Sequence, residues 1–284
     1  MAPVDPLAVN RSPRRIPRHP MARRLVLAAS LLIAAWVPGP PSGDAQERLY
    51  QGRPLAEWTA DLGGPDGLIR RRAASAIVAF GADALPPLGK AAIADADSEV
   101  RLEAIKGLAR LGPVAEPATP TLVQATRDRV AFVRRGAVSA LGAVGQATPE
   151  VLEALIHALV DSDAAVIDNA AHSLLALGAP SIGPLTNSLK DTDVGLRQMA
   201  VLTLSGGIRF GKLRPIPEET VTALIETLGD TSSDIRDEAA RALADLGPQA
   251  KGALPALRQM AASDPADAVR LVARRAIEQI ESRP

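Results

Sequence analysis

The chain has 284 residues, of which 47% are apolar but only 2% aromatic, so any core must be built from alanine, leucine, valine and isoleucine, and close helix packing is implied. Cysteine is absent, which excludes disulfides, thiolate metal sites, thiol nucleophiles and a lipid-modified N-terminal cysteine. The 32 basic residues balance the 32 acidic ones, leaving no positive surplus across the chain.

Residues 1–45 differ from the rest. Arg11, Arg14, Arg15, Arg18, Arg23 and Arg24 precede a 13-residue apolar stretch, Leu25–Val37, which ends in Pro38-Gly39-Pro40-Pro41. This order reads as a secretory signal peptide, with cleavage after Ala45 and Gly43 at the other small-residue position. The stretch falls short of the ~20 residues needed to span a bilayer, and an uncleaved N-terminal membrane anchor is the alternative. Met21 opens a more ordinary signal, so either Met1 or Met21 is the start. Both readings imply export to a periplasmic or extracellular location. Removing the segment takes six basic and two acidic residues, leaving 26 basic against 30 acidic. Such a chain is a poor nucleic-acid binder, because phosphate contacts from lysine and arginine supply most non-specific affinity.

Residues 46–53 form a short lead-in, and Tyr50 and Trp58 are placed to cover whatever follows. From residue 54 to 284 the sequence is an array. Ala73, Ala104, Ala137, Ala170, Ala200, Ala239 and Ala273 recur at steps of 31, 33, 33, 30, 39 and 34 residues. Three residues earlier stand Arg70, Arg101, Arg134, Arg197, Arg236 and Arg270, with Ile167 in the fourth copy. Six residues before that marker come Asp95, Asp128, Asp161, Asp191, Asp230 and Asp264, with Gly64 in the first copy. A period in this range signifies a helical solenoid rather than one globular core.

Within the second copy, Val100, Ala104, Leu108 and Leu111 are spaced for one stripe of an α-helix, with Asp97 or Ser98 to cap its start and Gly112 to end it. A second, shorter helix carries proline near its first turn, as in residues 179–189, so each unit is a helical hairpin. The alanine is expected where neighbouring hairpins touch, since a larger side chain would force helices beyond their ~8–10 Å separation. The aspartate falls in the turn and the arginine one helical turn later, which predicts a stacked hydrogen-bonded ladder. The positions one and five after the arginine marker, from Arg71 and Ser75 to Leu271 and Arg275, are expected to form an accessible ridge on the concave face.

Two departures mark candidate sites. In the fourth copy Ile167 replaces arginine and is followed by Asp168, Asn169 and His172. The fifth interval is lengthened by a glycine- and proline-rich stretch, residues 205–217, which presents Arg209, Lys212 and Arg214 around Phe210 as a basic patch with an aromatic anchor. These seven residues are the candidate partner-binding set.

The pattern Asp-x-Asp-x-x-Val-Arg-x-x-Ala, as it stands from Asp95 to Ala104, resembles the HEAT repeat family, and especially the short bacterial type called phycobilisome-lyase HEAT-like repeats. The opening Tyr50-Gln51-Gly52-Arg53-Pro54-Leu55-Ala56-Glu57-Trp58 looks like the lead-in of exported bacterial members. The resemblance implies an all-α fold, a right-handed α-solenoid of about seven HEAT-like helical hairpins. It does not choose among scaffolds, inhibitors, chaperones and the few enzymes of that family.

The chemistry is sparse. Beyond residue 45 only His157 and His172 occur, on different helices, so neither a metal site nor the duplicated His-Glu pairs of HEAT-repeat iron hydroxylases are expected. There is no phosphate-binding Gly-x-x-x-x-Gly-Lys loop, no dinucleotide fingerprint and no Gly-x-Ser-x-Gly elbow, and no cofactor is expected. The expectation is a non-catalytic, monomeric scaffold or adaptor of the cell envelope, binding a protein or peptide on the concave face or the 206–217 loop. The alternative is an accessory or lyase-like enzyme of the same family acting on a protein partner through Asp168, Asn169 and His172.

Overall fold

A computed structural model describes residues 48–282, and among these the chain forms seven helical hairpins preceded by one small sheet. The signal-peptide or anchor segment, residues 1–45, lies outside the described residues. The sheet, an element the sequence did not announce, pairs β1 (Leu49–Tyr50) with β2 (Arg53–Pro54), antiparallel, with Tyr50 opposite Arg53. Gln51 and Gly52 between them both have positive φ, 53° and 75°, the backbone a two-residue hairpin turn demands. The hairpin closes the first end of the array. Trp58 is buried, its indole N–H donates to the Tyr50 carbonyl at 3.2 Å, and the Arg53 guanidinium lies 4.2 Å above its ring. Tyr50 itself stays partly exposed, so Trp58 and Arg53 do the covering.

The hairpins are α1 (Leu55–Leu62) with α2 (Gly67–Ala76), α3 (Leu85–Ala94) with α4 (Ser98–Leu111), and α5 (Thr119–Ala125) with α6 (Ala131–Val144). They continue with α7 (Pro149–Ala158) and α8 (Ala164–Leu177), α9 (Ile182–Ser188) and α10 (Val194–Arg209), α11 (Glu218–Thr227) and α12 (Ser233–Leu246), and α13 (Leu254–Ser263) and α14 (Asp267–Ser282). Four of the second helices start on a side-chain cap, whereas Ser232 at the start of α12 makes none. Asp66, Asp97, Asp163 and Asp193 accept backbone N–H groups of the first turn. Each hairpin hands over to the next through a glycine with positive φ, at Gly81, Gly112, Gly145, Gly178, Gly211 and Gly247. Gly81 accordingly breaks the apolar run from residue 67 to 94 into separate elements.

Packing follows the alanine register. All seven marker alanines are 0% exposed, inside the surface where each second helix meets its neighbours. That surface runs α2 to α4 to α6 to α8, and again α10 to α12 to α14, whereas α8 and α10 approach each other at far fewer positions.

The arginine–aspartate ladder is present, and its connectivity is now explicit. Each arginine reaches forward to the carboxylate of the next hairpin in a two-pronged bond: Arg70 to Asp95, Arg101 to Asp128, Arg134 to Asp161, Arg197 to Asp230 and Arg236 to Asp264, at 2.7–3.2 Å. Its third contact, from Nη1, goes to the carbonyl six residues earlier in its own turn, from Gly64 in the first hairpin to Asp264 in the last. Every turn aspartate also accepts the backbone N–H two residues on, which fixes the turn. The rungs are largely shielded: Arg101 and Asp128 side chains are 4% and 12% exposed.

Gly64 is thereby explained. Among the described residues no hairpin precedes the first, so no marker arginine reaches its turn, which needs only a carbonyl. Arg270, with no further hairpin among the described residues, turns to Asp267 of its own helix.

The hydrogen bonds of Arg134 and Arg236 hold the Asp161 and Asp264 carboxyls below the usual carboxylate range. At Asp95, Asp128 and Asp230 burial pushes the carboxyl up, but the arginine and the turn N–H outweigh it and the net shift is again downward. A carboxyl lowered in the folded state stabilises the fold above its unfolded pKa and stops doing so as pH falls through the folded value. The array should therefore hold its stability down to roughly pH 4, the unfolded aspartate range, and lose it progressively below; Asp128→Asn should flatten that acid loss in circular-dichroism titrations. Ala170→Leu should cost about 1–3 kcal/mol by overpacking, seen as a lower thermal midpoint, and an unchanged midpoint would show that the register tolerates bulk.

Candidate protein-binding surface

The fourteen positions expected to form the ridge are all accessible: none of Arg71, Ser75, Leu102, Lys106, Arg135, Ser139, Asp168, His172, Gln198, Leu202, Asp237, Arg241, Leu271 and Arg275 is buried. They lie on the second helices because the alanine and arginine of the same helices claim the buried and turn-facing sides. Leu202 and Leu271 are 38% and 48% exposed, apolar groups standing in one row with charged ones. Between α2 and α4 the row borders a shallow groove lined by Arg71, Arg72, Ser75, Glu99, Glu103 and Lys106. Arg71 lies 3.9 Å from Glu99 across it, and Arg110 reaches both Ser75 and Glu103.

Of the fourth-copy cluster, Asp168 and His172 are exposed one helical turn apart, and His172 Nδ1 lies 2.7 Å from the Asp168 carbonyl oxygen. Asn169 is half-buried and spends its amide on the Ala165 carbonyl, so it does not join them at the surface. No cluster of metal-ligand type occurs among the described residues.

The 205–217 stretch differs from its expected form in two ways. Residues up to Arg209 belong to α10, and the loop is confined to 210–217. Arg209 is committed to Asp245 of α12 at 2.8 Å, so its charge is spent between hairpins five and six. Phe210 is 50% exposed, while Leu213 and Ile216 hold the loop, at 0% and 6% exposure. The Lys212 and Leu213 N–H groups donate to the Gly207 carbonyl, and Gln249 binds the Ile216 carbonyl at 2.7 Å. Lys212 and Arg214 are exposed with no ion pair among the described residues, and the Arg214–Pro215 peptide is cis. Gly207 is required beneath the loop, since a Cβ there would overlap the Leu213 side chain and lie 2.8 Å from Leu175 of α8. In sequence only the two branched aliphatic side chains among the loop's polar, glycine and proline residues, Leu213 and Ile216, pointed to this anchoring.

The repeated hairpins, their shared alanine interface and the ladder are matched by a model of HEAT repeats over residues 55–142, 85–176, 119–205 and 184–278. The chain belongs to the HEAT repeat family. Among solved structures, this HEAT array superimposes on a chain from the structure of Kap95p binding to RanGDP with a TM-score of 0.53 at 11% identity, covering 82% of this chain and 36% of that one. An archaeal HEAT-like repeat protein from Thermococcus onnurineus NA1 matches at 13% identity and a TM-score of 0.47, over 80% of this chain and 97% of that one. A designed armadillo repeat protein in complex with the peptide (KR)4 matches at 23% identity and a TM-score of 0.34, over 80% and 99%. No curated protein sequence matches the chain.

Leu213→Ala should release the loop at a cost of about 2–5 kcal/mol, the range for a buried leucine. Limited proteolysis after Lys212 would then accelerate while the rest of the array stays resistant; an unchanged cleavage rate would place the loop's anchor elsewhere.

Proposed function

We propose that the chain is a non-catalytic protein-interaction scaffold that binds an extended polypeptide along the exposed row of its second helices, with Phe210, Lys212 and Arg214 as a lateral contact. The observation that carries this reading is the row itself. Stacking leaves these fourteen positions accessible, yet leucines stand among them beside arginine, lysine and aspartate. Uniform polyanions select uniformly basic rows, whereas alternation of apolar and oppositely charged groups suits a peptide that presents both. The proposal includes export to the cell envelope, resting on the arginine-rich start and the Leu25–Val37 stretch.

Residues 46–284, immobilised and incubated with envelope extract, should retain a partner that the purified chain then binds saturably. The triple variant Arg135→Glu, Leu202→Ala, Leu271→Ala should weaken that binding by tenfold or more, about 1.4 kcal/mol or above. Absence of saturable binding, or equal binding by the variant, would remove the row from the proposal. Mass spectrometry of the chain made with its N-terminus should find Gln46 as the first residue.

A further inference from the structure

The ladder has one internal gap. Ile167 takes the place of the arginine in the fourth hairpin, and the Asp191 carboxylate of the fifth, which would be its acceptor, is exposed and binds only the Asp193 N–H of its own turn. Other ties fail at the same junction. Between α6 and α8 the Ser173 hydroxyl donates to the buried Val138 carbonyl, in addition to the Arg134–Asp161 rung. Between hairpins five and six the Arg197–Asp230 rung is joined by Arg209–Asp245, Lys190–Glu226 and the Thr186–Thr220 hydroxyl pair. Across the fourth and fifth hairpins no such side-chain link exists among the described residues; the Ser181 bond to Leu174 belongs to the connecting turn. The α8–α10 surface is also the sparsest between consecutive second helices.

The lengthened loop is found at this same place. Leu213 is fully buried where Leu175 of α8 and Gly207 of α10 converge, so a side chain from outside both helices occupies space that direct helix contact fills elsewhere. Apolar contact of this kind is non-directional and tolerates sliding, whereas a two-pronged arginine–carboxylate bond fixes both distance and angle.

We infer that the array is built as two rigid blocks, residues 55–177 and 182–282, articulated at the α8–α10 junction with Leu213 as the pivot. The missing rung removes the angular constraint, and the buried leucine keeps the two blocks in contact as they move. The joint divides the exposed row between Asp168–His172 and Gln198–Leu202, so rotation changes the spacing of its two halves. The inference does not depend on a bound partner, and its test uses none.

Because the chain has no cysteine, spin labels can be placed at will. Lys90→Cys with Glu153→Cys spans two hairpins inside the first block, and Glu153→Cys with Thr222→Cys spans two hairpins across the joint; all three sites are exposed. The cross-joint distance distribution should be about twofold broader than the within-block one, and Ile167→Arg, which restores a partner for Asp191, should narrow it. Equal widths in the parent chain would overturn the inference. A second measurement needs no restored rung: Asp161→Asn should lower the thermal midpoint, while Asp191→Asn, which keeps the turn's acceptor oxygen, should leave it unchanged. Equal losses from the two substitutions would likewise overturn it.

Discussion

A hairpin of thirty-odd residues has only its two neighbours to bury against, and everything in this structure follows from making that one contact close. The surface between second helices is built around a methyl group at each of seven positions, all fully excluded from solvent. Small residues there let helix backbones approach, and dispersion across many weak contacts then accumulates. Energy of this kind is distributed along the array and has no single centre.

Apolar contact alone does not set register, since a smooth alanine-rich surface can slide. The ladder supplies what is missing. Each guanidinium joins the carbonyl of its own turn to the carboxylate of the next, and each carboxylate also holds the turn that carries it. One residue therefore couples local turn geometry to the position of a neighbour. Shielded ion pairs of this type bring modest net stability after desolvation, so their contribution here is angular definition more than energy. The two departures at the ends of the array, Gly64 and the inward-turned Arg270, are what an open ladder requires at its edges. Ile167 is the one departure that edges do not explain.

Much of this was legible in the chain. The alanine, arginine and aspartate registers fixed hairpin number and the buried side of the second helices, because a helix encodes its buried stripe within four residues of spacing. By subtraction the exposed row was legible too, and all of its members proved accessible. The lengthened loop was found by its length, but not the residues that hold it down. Phe210 attracted attention as the aromatic, yet a loop is held by whichever apolar groups its backbone turns inward, and those are Leu213 and Ile216. The small sheet at residues 49–54 escaped notice because strands of two residues have no periodicity to detect.

The sequence by itself determined the repeat, its helical content, the caps and the chemistry of the turns, all of which depend on residues a few positions apart. Only the tertiary structure decided that each arginine serves the following hairpin, that Arg209 is consumed by Asp245, and that Asp191 is left facing solvent opposite an isoleucine. Those facts depend on the rotation from one hairpin to the next. That rotation is set by side chains some thirty residues apart meeting across a shared surface, a relation that spacing along the chain does not contain.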